Sequence, residues 1–159
     1  LNLLLTLVVF YKMNNNFSGK FLILSAIIFL IGFSVEAVGV ATGVLFGNYE
    51  YGAPFGFKIF ETPLMIGVNW LFLALSTYGI VQYFTKKAIL LILIPPLLMT
   101  GLDVLVEPIA IKLDFWSWEN DIIPIQNYVM WFVTSSVIHS VVYFFKPTIN
   151  AKISFVILF

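Results

Sequence analysis

Three carboxylic acids stand inside stretches that are otherwise oil. Glu36 opens the run E-A-V-G-V-A-T-G-V-L-F-G (residues 36–47), and Asp103 and Glu107 lie within G-L-D-V-L-V-E-P-I-A (residues 101–110). Burying a carboxylate in a bilayer costs at least a few kcal/mol, so each is expected to face a partner, a cavity or a reaction. Asp103 and Glu107 are one helical turn apart and share a face about 40° wide. The chain has no Arg, and Lys58 and Lys112 are the only cations expected at the same membrane side as the acids. With so little counter-charge in low dielectric the three cannot all be ionised, and at least one is expected to hold its proton at neutral pH. A buried protonated carboxyl is a general acid, and an ionised neighbour is a base. Asn69, Asn127 and Thr134 are placed to orient either one, or a water.

The elements that must position these acids are membrane helices. The chain is 61% hydrophobic and only 10% charged, against about 25% charged in a soluble domain. That composition describes one integral membrane domain with little mass outside the bilayer. A formal net charge of zero argues against nucleic acid. Without cysteine there is no disulfide, thiolate metal site or Cys nucleophile, and a single histidine makes a His-rich metal site a poor expectation. His139 lies off the polar face of its helix, toward the other membrane surface, and reads as structural.

The expected architecture is all-α, a polytopic transmembrane bundle of about four full spans with partial spans at both termini. Leu1–Tyr11 reads as the end of a span in a chain truncated at both ends, and residues 12–20 as a loop. The full spans are expected at Phe21 to about Gly47, Thr62–Phe84, Ala88 to about Lys112, and Pro124–Phe145, with a further apolar segment from Thr148. Pro63 suits a first helical turn. Pro95-Pro96 implies a kink, and Pro108 an end or bend just past the acids. Thr62, Asn69, Ser76 and Tyr83 recur every seventh residue, along one side of a helix.

At about 100° per residue, Gly32, Glu36, Gly39, Gly43 and Gly47 fall within about 80° of one another, a smooth face for close helix packing. The connections at 48–61 and 113–123 are aromatic and acidic. Tyr49, Tyr51, Trp116 and Trp118 suit interfacial anchors there, or the first connection re-enters as a lid. Lys12, Lys20, Lys86, Lys87, Lys146 and Lys152 fall in the other connections, which the positive-inside rule places in the cytoplasm, leaving the two acidic loops outside.

Taken in order, E-x-x-G-V-x-T-G-x-x-F-G-x-Y-x-Y (Glu36–Tyr51), G-x-K (Gly56–Lys58), P-x-x-I-G-x-N-W (Pro63–Trp70), L-D-V-x-x-E-P (Leu102–Pro108), W-x-W (Trp116–Trp118) and P-I-Q-N-Y-x-x-W (Pro124–Trp131) form a pattern. It resembles that of the CruF-type carotenoid biosynthesis proteins, membrane carotenoid 1,2-hydratases, over roughly Gly32 to Trp131. The resemblance implies addition of water across the terminal C1–C2 double bond of an acyclic carotenoid, giving a tertiary alcohol. It implies a polyene substrate with water, no cofactor and no metal. The setting would be membrane lipid in a prokaryotic cell (inner) membrane, with a second copy or other carotenoid enzymes as neighbours. Hydrating such an alkene needs a neutral acid, a positioned water, a base and aromatic faces to ease a tertiary cation. Glu36, Asp103 and Glu107 would be catalytic. Asn69 and Asn127 would orient them, and Trp70, Trp131, Tyr49 and Tyr51 would line the polyene or face the cation.

Rival readings use the same acids. A transporter subunit would carry protons or cations on them, a pigment-binding scaffold would tolerate their loss, and an isoprenoid cyclase would use the acid but exclude water.

Overall fold

The structure, a computed structural model, describes residues 18–158. The expected first span at Leu1–Tyr11 lies outside them. Five helices and four short strands follow in order among the described residues: α1 (Gly19–Thr42), β1 (Tyr49–Tyr51), β2 (Lys58–Ile59), β3 (Thr62–Pro63), α2 (Leu64–Phe84), α3 (Ala88–Lys112), β4 (Trp116–Trp118), α4 (Ile125–Phe145) and α5 (Ala151–Leu158). Helices α1 to α4 are each long and apolar enough to cross a membrane. The fold is an all-α bundle, with sheet confined to two short ribbons.

Helix α2 sits at the centre, its length buried almost all round by α1, α3, α4 and α5. The outer helices bury one stripe and expose the rest. On α3, Leu91, Pro95, Met99, Asp103, Glu107 and Ala110 face inward, while Leu97 and Leu105 are exposed. An apolar exterior is the arrangement a helix adopts when its solvent is lipid.

Helix ends depart from the sequence reading in ways local chemistry explains. Ser18 caps α1, its hydroxyl accepting from the Phe21 N–H at 3.3 Å, so Lys20 belongs to the helix and not to the preceding loop. The helix stops at Thr42, short of Gly47, because Gly43 turns left-handed (φ 65°) and its N–H closes on the Gly39 carbonyl at 2.8 Å. Gly47 (φ 102°) lies in the connection, where an added Cβ would meet Pro124. The glycine stripe thus splits in two. Gly32 gives close helix packing against Trp70 and Gly39 makes room for Phe46 and Tyr49 of the connection, while Gly43 and Gly47 are backbone turns. Thr62 and Pro63 form a strand edge, so Pro63 is the residue before α2 and not in its first turn. The seven-residue polar row fails at both ends, since Thr62 precedes the helix and Tyr83 is exposed. Helix α3 runs unbroken through Pro95, Pro96 and Pro108 to Lys112; Pro108 neither ends it nor splits it.

The two acidic connections, expected as loops or a lid, are strands paired with each other. β1 and β4 run antiparallel with Tyr49 opposite Trp118, Glu50 opposite Ser117 and Tyr51 opposite Trp116. This ribbon closes one end of the bundle.

Gly32 packs on Trp70, whose Cβ and Cγ lie 2.5 Å from where a Cβ would stand. Gly32→Ala should therefore cost about 1–3 kcal/mol, read as a lower melting temperature in detergent. Gly101→Ala, with nothing within 4 Å, should be neutral or stabilising by up to about 1 kcal/mol.

Candidate active site

Glu36 from α1 and Asp103 and Glu107 from α3 line one cavity beneath the β1–β4 ribbon, together with Asn69 of α2 and Asn127 and Trp131 of α4. All three acids are buried. Tyr49, Tyr51, Trp116 and Trp118 form the roof, and Phe46 and Ile66 complete the wall. No lysine lines it among the described residues. Lys58, expected as a nearby cation, donates instead to the Tyr51 carbonyl oxygen.

Neutral donors take the place of counter-ions. The Tyr49 and Tyr51 hydroxyls donate to Glu36 Oε2 at 2.5 and 2.8 Å, and the Trp70 indole N–H donates to Oε1 at 2.9 Å. Glu107 Oε2 accepts the indole N–H of Trp116 at 2.9 Å and of Trp118 at 3.0 Å. Asn127 bridges the pair on α3, its Nδ2 donating to Asp103 Oδ2 at 2.9 Å and to Glu107 Oε1 at 3.4 Å. Asp103 receives that one donor only among the bonds described.

These positions follow from local structure. In a strand, alternate side chains share a face, so Y-x-Y and W-x-W each aim two donors at the same side. The one-turn spacing of Asp103 and Glu107 lets a single amide reach both. Trp70 does not line the cavity. Its ring stacks on Trp131 (centroids 4.3 Å apart, planes 18° from parallel), which does. Asn69 faces the cavity from α2.

Of the residues chosen from sequence, Glu36, Asp103, Glu107, Tyr49, Tyr51, Asn69, Asn127 and Trp131 share one cavity, and Trp70 touches it through Glu36. Trp116 and Trp118, expected as interfacial anchors, turn their indole N–H groups inward. They solvate Glu107, and the i, i+2 spacing with Glu107 only 9 and 11 residues away was the available signal. Phe46 and Ile66 carried no such signal. Thr134 is buried but does not line the cavity. His139 is distant from the acids, held by the Ser135 and Ala74 carbonyls and Thr77 within the core.

The cavity measures about 30 Å³, on a scale where one water needs roughly 10–15 Å³. At that size it takes about two or three waters and not an isoprenoid end. No group of three or more His, Asp or Glu side chains among the described residues is arranged to hold a metal ion.

A family model described as "Carotenoid biosynthesis protein" matches residues 1–155. The chain belongs to the carotenoid biosynthesis protein family. It is also 31% identical, over 121 residues, to a bisanhydrobacterioruberin hydratase of Haloarcula japonica. The match covers 68% of this chain and 40% of that protein, so the chain spans well under half of its relative's length. No solved structure matches. With four span-type helices and this family, the chain is a membrane protein.

Burial first, then the Glu36 carboxyl beside them, pushes the Tyr49 and Tyr51 hydroxyls well above the ordinary phenol value of 10.0. Both stay protonated in the folded protein and remain donors. Their contribution to stability is full below the unfolded value and falls as pH climbs above it, once the unfolded phenols ionise. In an alkaline titration, tyrosinate absorbance from these two residues should appear only with unfolding, so the folded-state traces of wild type and Tyr49→Phe/Tyr51→Phe should coincide. Each single Phe variant should lose about 1–3 kcal/mol, because a Glu36 oxygen forfeits a buried donor.

Proposed function

We propose that this chain hydrates the terminal C1–C2 double bond of an acyclic carotenoid end group. The observation that carries the reading is the convergence of three carboxyls, without a cation, on a water-sized cavity walled by indole and phenol rings. The hydratase name of the Haloarcula japonica relative supports it.

The donors apportion the roles. Glu36 and Glu107 each accept three hydrogen bonds, and donors aimed at a carboxylate favour its ionised form. Asp103 accepts one and is where the proton is kept. Asp103 protonates C2, the less substituted alkene carbon, and the π pair becomes the new C–H bond. The tertiary cation left at C1 lies against the aromatic wall, with Trp131 as its floor. Water held by Asn69 and Glu36 bonds to C1 through its oxygen and gives its proton to Glu36, forming the tertiary alcohol. The proton returns to Asp103 through cavity water before the next turnover. At about 30 Å³ the cavity holds water but not an isoprenoid end, so its helix walls must part on the bilayer side to admit the polyene.

The lysines at 20, 86, 87 and 146 sit at the helix ends opposite the ribbon, which supports an inside-positive orientation with the ribbon on the outer side of a cell membrane.

The test is expression of the full-length protein in a lycopene-accumulating bacterium, with pigment masses measured. Hydration should add one water per reacted end; unchanged mass with altered pigment would indicate cyclisation and refute the reading. Asp103→Asn should lower hydrated product by about 10²–10⁴-fold, and Glu36→Gln should also reduce it strongly. If both variants match wild type, the acid–base assignment is wrong.

A further inference from the structure

The β1–β4 ribbon has two faces. Tyr49, Tyr51, Trp116 and Trp118 point down to the acids, so Glu50 and Ser117, paired across the strands and both exposed, point away. Over one end of the ribbon lies a second, outward-open hollow of about 330 Å³. Its rim is polar. Asn48 Nδ2 donates to Glu119 Oε2 at 2.7 Å, and the Ser117 hydroxyl donates to Glu50 Oε1 at 3.4 Å. Tyr49 and Trp118 line both hollows. Their rings, 5.0 Å apart and tilted by 36°, form the shared wall.

We propose that the outer hollow is a water vestibule and that the Tyr49–Trp118 wall is the inlet through which water reaches the acids. The inference rests on the hydration reading, which consumes one water per turnover. The two substrates arrive from opposite media. A polyene is dissolved in the bilayer, which holds almost no water, while the helix exteriors around the site are apolar. The polar rim of Asn48, Glu50, Ser117 and Glu119 meets the aqueous side, and a two-ring partition stands between it and the cavity. Separate entry keeps bulk water off the cation until one positioned molecule is admitted.

These 159 residues hold no cysteine; with any cysteine elsewhere in the full-length protein replaced by serine, one introduced thiol is a unique handle. In membranes bearing the full-length protein, Ser117→Cys would be treated with a small thiosulfonate, which caps the thiol as a methyl disulfide, or a bulky membrane-impermeant maleimide. Ala53→Cys, exposed beyond the other end of the ribbon, is the control. Unlabelled Ser117→Cys and its methyl disulfide should hydrate lycopene at the wild-type rate. The bulky label should lower kcat at least tenfold with polyene KM unchanged, and labelled Ala53→Cys should stay within twofold of wild type. An unchanged rate on bulky labelling, an equal loss at Ala53→Cys, or a rise in polyene KM in place of the fall in kcat would overturn the vestibule while leaving the hydratase reading intact. Failure of wild type to add water would instead remove that reading, and the inlet with it.

Discussion

An acid buried in lipid with no cation to face must be solvated by the protein's own N–H and O–H groups. Much of the described structure serves that constraint. The donors cannot come from helix backbone, whose groups are already paired, so they come from side chains with one polar atom on a large apolar body. Tyr and Trp fit, because the ring satisfies the oily surroundings while the hydroxyl or indole N–H reaches the carboxylate. Five such donors, from Tyr49, Tyr51, Trp70, Trp116 and Trp118, converge on two glutamates.

That solution dictates the shape around the acids. Aromatic donors are bulky, and room for them comes from small residues opposite: Gly32 under Trp70, and Gly39 beside Phe46 and the Tyr49 hydroxyl. Delivering two donors to one acid needs side chains repeating on one side, which is why the connections over the site are extended strands. The same rings then form a hydrophobic roof, so the two glutamates are shielded from bulk water while both oxygens of each stay hydrogen-bonded. Asp103 stands apart with a single amide donor. The differences among the three acids arise from how many donors reach each one, since their residue types are nearly alike.

Much of this was legible in the sequence, for physical reasons. Long apolar runs fix helices strongly, and α2, α3 and α4 begin and end within two residues of their expected limits. Acids in such runs are costly enough to be conspicuous, so Glu36, Asp103 and Glu107 could be named at once. What could not be read was set by contacts distant along the chain or by single backbone torsions. Gly43 and Gly47 fit a helical face as well as a turn, and only the left-handed torsion at Gly43 decides. The aromatic likeness between residues 48–61 and 113–123 was visible, but not that the two segments pair, because register between strands more than sixty residues apart leaves no local trace. Trp116 and Trp118 have the composition of membrane-surface anchors, and only the turn back over α3 reveals their hydrogen bonds to Glu107.

The spacing of these hydrogen bonds along the chain bears on how the protein enters a bilayer. Glu36 finds its donors 13, 15 and 34 residues downstream, and Glu107 finds its own 9, 11 and 20 residues downstream. Each acid is therefore satisfied within its own helical hairpin. The hairpins formed by α1 with α2 and by α3 with α4 can each leave the translocation machinery with their carboxyls already clothed, and neither has to wait in lipid for the other. The two halves meet through packing of α2 on α3 and of α1 on α4, the Trp70–Trp131 stack, the β1–β4 pairing, and hydrogen bonds of His139 to Ala74 and Thr77 and of Gln126 to Val44 and Leu45, so late assembly is a docking of two units whose acids are already satisfied, and the shared cavity comes into being at that last step.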